Sequence, residues 1–156
     1  QLALDLLEDP NVDKSQIHIH YNSYTQCFEL RKLTPILAST ETWFRRQFDR
    51  FICNGVWTTA ERNNVDLSVG RWTDGFAAPY NQSAKEPALQ IIPRQGAMPT
   101  VVFEAGWKKS FEQMNRDVDL WFHGSAGHVR VVILIKWAIE SNGVNGRMEV
   151  YRADSP

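Results

Sequence analysis

Residues 17–21 (Ile-His-Ile-His-Tyr) alternate apolar and polar side chains, and residues 27–33 alternate again after the polar connection 22–26. Alternation with a period of two marks a half-buried strand, so the two runs predict a β-hairpin. A short helix is expected over residues 2–7, halted by Pro10. Farther on, Phe44, Phe48, Phe51 and Ile52 recur at helical spacing behind a cap at Ser39 or Thr40, and Asn54-Gly55 closes that helix. Glu41 then falls in the first turn, where a carboxylate favours the helix dipole. Residues 65–69 read as a strand, residues 76–84 as a loop, and residues 85–93 as a strand entered through a proline-bracketed turn.

The most informative stretch is residues 99–137. Val101, Val102 and Phe103 form a β-branched apolar run that ends in one acid, Glu104, before Ala105-Gly106 turns the chain. Ser110 can cap a helix whose Phe111, Met114, Val118, Trp121 and Phe122 make one apolar stripe, ended by Gly124. Residues 129–137 (VRVVILIKW) supply another strand. Strand, helix and strand with both strands largely apolar predicts two parallel strands joined by a right-handed crossover. Asn142-Gly143 and Asn145-Gly146 carry turn chemistry, and residues 147–152 fit an edge strand. The expected fold class is α/β (α+β): a mixed sheet with flanking helices, an αβββαβ core over residues 39–151 and an N-terminal extension of helix and hairpin over residues 1–38, all in a single domain.

Composition narrows the functional classes. The chain has 156 residues and a hydrophobic content of 43%, which supports one well-buried core and excludes disorder. Formal net charge is −1 from 17 basic and 18 acidic side chains, so tight non-specific nucleic-acid binding would need a local basic patch. Arg45, Arg46 and Arg50 form one candidate and Lys108, Lys109 and Arg116 another, though for either cluster alone a solvated helix face or a solvated turn is the better reading. Cys27 and Cys53 lack the spacing of a zinc ribbon or redox pair, which makes a reducing, intracellular compartment, cytoplasmic or nuclear, the default, with a single bridge between them as the alternative. No Gly-x-Ser-x-Gly elbow occurs and Cys53 reads as a buried, inert thiol, against a serine or cysteine hydrolase. His18 and His20 share a strand face without a third ligand in view, so a half-exposed polar face is the simpler reading than zinc. No apolar run reaches membrane-spanning length.

Lys85-Glu86-Pro87-Ala88, Pro93, the run Pro99-Thr100-Val101-Val102-Phe103-Glu104 and the helix bearing Arg116, Asp117 and Trp121 together resemble the restriction-endonuclease-like superfamily with PD-(D/E)XK motifs. The likeness is to an endonuclease branch that includes fungal proteins. It covers residues 40–151 and is densest over residues 83–137. The resemblance implies a nuclease acting on DNA or RNA phosphodiesters, with Mg²⁺ or Mn²⁺ held jointly by two acids and a lysine offsetting developing charge. By the same resemblance Glu104 corresponds to one metal ligand and Ala88 stands where the family has its aspartate, so the chain as written is expected to be inactive. The usual lysine position holds Gly106, and an alternative one on the helix holds Trp121. Lys85, Lys108 and Lys109 are the substitutes to consider. A non-catalytic module for nucleic acid or protein on the same fold is the competing expectation, favoured if Trp72 or Trp107 is exposed for stacking.

Overall fold

The computed structural model describes residue 10, residues 17–107 and residues 109–153; the helix expected over residues 2–7 and the candidate Lys108 lie outside them. Two strands open the described chain, β1 (Ile17–Asn22) and β2 (Cys27–Lys32), paired antiparallel from Ile17 against Lys32 to Asn22 against Cys27. They form a two-stranded sheet of their own. Next come α1 (Pro35–Cys53), the short α2 (Thr59–Asn63), β3 (Val65–Ser68), β4 (Leu89–Pro93), β5 (Val101–Gly106), α3 (Phe111–Gly124), β6 (Val131–Glu140) and β7 (Gly143–Arg152).

The main sheet runs β3-β4-β5-β6-β7. β5 is antiparallel to β4 and parallel to β6, the crossover through α3 supplying the parallel pair as its apolar strands require. Side chains leave the sheet alternately. Val102, Val132 and Leu134 meet Met114, Val118, Leu120 and Trp121 of α3 on one face. Leu89, Ile91 and Phe103 meet Phe44 and Phe48 of α1 on the other. Among the described residues no helix is long and apolar enough to cross a membrane.

Several boundaries depart from expectation for identifiable reasons. Helix α1 begins a turn before the expected cap, at Pro35, whose fixed φ suits a first helical position and whose missing N–H is not needed there. Ser39, Thr40 and Thr42 instead donate their hydroxyls to the carbonyls of Pro35, Ile36 and Ala38, four residues back. Glu41 therefore sits beyond the first turn, outside the reach of the helix dipole. The α1 end is as read, with Gly55 at φ +69 after Asn54. Ser110 caps α3 as expected, accepting from the Gln113 N–H while the Gln113 side chain accepts from Ser110 N. Asn145-Gly146 is not a turn. β7 pairs with β6 over ten positions from Val131–Arg152 to Glu140–Gly143, and the hairpin turns at Ser141-Asn142. Gly146 is needed inside that strand because the Trp137 ring lies across it, and a Cβ there would come within 2.5 Å of the indole.

The polar face of β1 is also the reverse of the expectation. His18 and His20 are buried, while Ile17 and Ile19 are only half-buried. The imidazoles turn inward because what they cover is charged. Both cysteines are free and exposed, so Cys53 is not the buried thiol its neighbours suggested.

Candidate functional site

β5 carries Glu104 to the sheet's centre, on the face that α3 covers. Leu89, the first residue of β4, is paired with Phe103, and Ala88 stands just before it, outside the strand. The Ala88 methyl is buried in a small cluster with Leu37 and Ala105. Just upstream, Lys85 is anchored by a bridge to Thr73, N to O at 2.9 Å and O to N at 2.8 Å, which aims a side chain only 2% exposed into the interior.

There Lys85 Nζ stands 3.4 Å from Glu104 Oε1 and 2.7 Å from Asp117 Oδ1. Asp117 Oδ2 accepts from Lys109 Nζ at 2.6 Å, and Lys109 also donates to Glu29 Oε2 of β2 at 2.8 Å. The Trp121 indole N–H donates to Glu104 Oε1 at 2.8 Å. From the hairpin, Arg31 Nη2 lies 3.6 Å from Glu104 Oε2, and Arg31 Nη1 donates to Ala105 O at 2.5 Å. Three cations thus answer three carboxylates in a chain that joins β2, Lys85, β5 and α3.

The electrostatics follow from this pairing. Burial alone would push the Asp117 carboxyl up, but the Lys85 and Lys109 ammoniums outweigh it and hold Asp117 below the ordinary carboxylate range. Lys109 is the mirror case: burial works to lower its pKa, and Asp117, Glu104 and Glu29 raise it above the ordinary lysine value. His20 is pushed well below its usual value by burial and by the cations Lys85, Arg31 and Lys109. Its Nε2 faces Arg31 Nη2 at 3.0 Å, a donor, so this nitrogen accepts and the ring is neutral. His18, lowered chiefly by burial, lies 3.4 Å from Glu86. Glu41 is raised to about 6 by burial, with Glu86 adding to the shift and Arg45 and Arg31 opposing it.

The structure brings together Glu104, Lys85 and Lys109 of the sequence candidates, while the Ala88 methyl packs with Leu37 of α1 and Ala105. Lys85 is no surface residue and Lys109 no solvated turn. Arg45, Arg46 and Arg50 remain exposed on α1. Sequence reading passed over Glu29 and Arg31, whose side-by-side positions on one face of β2 were the available signal. It also passed over the half-buried Glu41, because a helix start read one turn late gave its charge an ordinary explanation.

Beside the ion chain opens a cleft of about 240 Å³ lined by His20, Tyr21, Glu29, Lys85, Lys109 and Arg116 among others. Trp72 stands 46% exposed, and Trp107 is half-buried. A hard divalent cation asks for a shell of oxygens. Glu104 is 2% exposed, both of its oxygens face cations or the indole N–H, and position 88 offers a methyl. Among the described residues no three His, Cys, Asp or Glu side chains converge as a metal site. The donor set present does not fit Mg²⁺ or Mn²⁺, and the histidine pair does not fit zinc. In comparisons with known proteins, no family model and no curated sequence matches the chain.

Proposed function

We propose that this chain is a restriction-endonuclease-like domain directed at nucleic-acid phosphodiesters and catalytically silent in the sequence as it stands. The observation that carries the reading is the Lys85–Glu104 pair, 3.4 Å apart, formed between the segment that leads into β4 and the central strand β5. An acid from β5 and a lysine from the segment before β4 converge there, and position 88, which the resemblance assigns to a second acid, holds a methyl group. The element order supports the same reading: a helix, a three-strand antiparallel run, a crossover helix and a parallel strand. The chain is silent because Glu104 alone, its oxygens facing Lys85, Arg31 and the Trp121 N–H, cannot draw a divalent cation, whereas a second carboxylate at position 88 would let one compete for those oxygens.

The test is to return a carboxylate with Ala88→Asp and assay duplex DNA, single-stranded DNA and RNA with Mg²⁺ and with Mn²⁺. Metal-dependent cutting is expected, abolished by adding Glu104→Gln. No product on any substrate, from protein folded by circular dichroism, would overturn the nuclease reading. The exposed Trp72 favours a second reading, a nucleic-acid-binding module without chemistry. On that reading Ala88→Asp yields no cutting, while Trp72→Ala weakens binding of single strands.

A further inference from the structure

The face of β6 and β7 that looks toward α1 is apolar; its inner end is covered, with Ile133 packed against the Phe44 and Phe48 side chains of α1 and Ile135 buried, and its outer end is open among the described residues. Cross-strand pairs Ile133–Val150, Ile135–Met148 and Ile139–Val144 line it, and Ile139, Val144, Met148 and Val150 are 70%, 51%, 49% and 47% exposed. β7 is also an edge of the sheet, with ten residues and an unbroken register against β6. At roughly 3.4 Å per residue that is about 34 Å of open backbone donors and acceptors. Edges of this kind are ordinarily guarded by lysine, proline or a bulge. β7 (GVNGRMEVYR) has no lysine and no proline, and its pairing shows no break. The opposite edge, β3, has four residues.

We propose that β7 pairs antiparallel with β7 of a second copy of this chain, about a two-fold axis at Met148. The register is selected by the sequence of the strand. Centring on Met148 sets Arg147 of each copy against Glu149 of the other, Met148 against Met148, and Val150 against Gly146. Shifting the centre to residue 147 or 149 puts Arg147 against Arg147 or Glu149 against Glu149, and like charges directly opposed are unfavourable. A slip that centres the axis between residues pairs the apolar face of one copy with the polar face of the other. A two-fold contact must be self-complementary, and the Arg-Met-Glu triplet is self-complementary in one antiparallel register. The Arg147 side chain is 71% exposed, lies over the Phe111 ring and bonds Glu149 of its own strand at 2.6 Å, so pairing between copies exchanges that bond for one to Glu149 of the partner. This interface lies away from the ion chain and does not depend on the nuclease reading.

The test uses the full chain in sedimentation velocity at about 100 μM, a concentration at which micromolar self-association is near complete. The expected result is a dimer. Arg147→Glu and Glu149→Arg should each weaken it at least about tenfold, because each homodimer then opposes like charges at both sites. Mixing the two variants should recover a one-to-one dimer, since both acids of the Arg147→Glu chain then face both bases of the Glu149→Arg chain. The bond between residues 147 and 149 within each chain is lost in both variants and mixing cannot restore it, so recovery reports the contact between chains. A wild-type monomer at this concentration overturns the proposal. So does a dimer that either single variant leaves intact, which would put the contact elsewhere, or a mixture that stays monomeric while circular dichroism shows both variants folded.

Discussion

The two faces of the main sheet solve opposite problems. Against α3, polar groups are buried and answered within the chain: Lys85 by Glu104 and Asp117, Trp121 Nε1 by Glu104, and Gln90 by the Thr73 hydroxyl and the Arg71 carbonyl. Toward α1, the outer end of β6–β7 leaves Ile139, Val144, Met148 and Val150 about half exposed or more. A buried charge without a partner costs several kcal/mol, so the first face cannot be left open in any one copy of the chain. An exposed valine or methionine costs far less, so the second face can wait for a partner from outside. The contrast separates what the chain must satisfy alone from what it can satisfy by assembly.

The largest expected effects break the first face. Trp121→Ala should lower unfolding stability by about 3–5 kcal/mol in urea titration, since it opens a cavity and strips Glu104 of its N–H donor. Lys85→Met keeps the length and removes the charge; it should cost about 3–5 kcal/mol by leaving Glu104 and Asp117 facing each other. If Lys85→Met were neutral, apolar packing alone would be holding α3 down and the contrast between the faces would fail.

A smaller effect comes from His20. Its folded pKa lies below the unfolded value of about 6.5, so the unfolded chain binds more protons in the interval between them. The contribution of the neutral ring is complete above pH 6.5 and is lost as pH falls toward the folded pKa, with a slope of up to about 1.4 kcal/mol per pH unit. Glu41 acts in the opposite sense. Raised to about 6, it binds its proton more readily in the fold, so acidification from pH 6 toward the ordinary carboxylate range partly offsets the histidine loss. His20→Asn should flatten the acid limb of a thermal-melt series against pH and Glu41→Gln should steepen it; an unchanged limb in His20→Asn would show that the imidazole is not held neutral. The smallest effect sits outside both faces. Asp66 and Arg94, 4.0 Å apart and more than half exposed, form a pair that Asp66→Asn should change by about 0.5 kcal/mol or less.

Much of the sheet was legible because its strands are apolar on both sides and its crossover helix is capped by Ser110 and striped by Met114, Val118 and Trp121. The hairpin was legible as a hairpin, from alternation alone. Its facing was not, because alternation tells which residues share a side and says nothing of whether the side meets water or a carboxylate. The site was half legible for a related reason. Glu104 stands at the end of an apolar strand, where an isolated acid is conspicuous. Asp117, Lys109 and Arg31 are charged residues of the kind that populate any surface, and what makes them part of a site is the folding of β2 and α3 around Lys85, a relation across 80 residues between Glu29 and Lys109. The extent of β7 was missed because Asn145-Gly146 has turn chemistry by itself, and only the Trp137 ring lying across it gives the glycine another purpose.

Among the described residues, the hydrophobic clusters contain no member of β1 or β2. The hairpin is tied down by Tyr21 to Ala84 backbone bonds, the Ser23–Ser83 contacts, and the Arg31 and Lys109 links. Fastenings of this sort gain little from burial and exchange readily with water, so the hairpin has the character of a separate cooperative unit whose amides trade hydrogen for deuterium through local opening while β5 and β6 stay closed. Of these ionic links only the Lys109–Glu29 one reaches water, at the partly exposed Glu29 end, so dissolved salt loosens the hairpin there first and leaves the buried Glu104 carboxylate beneath Arg31 little affected.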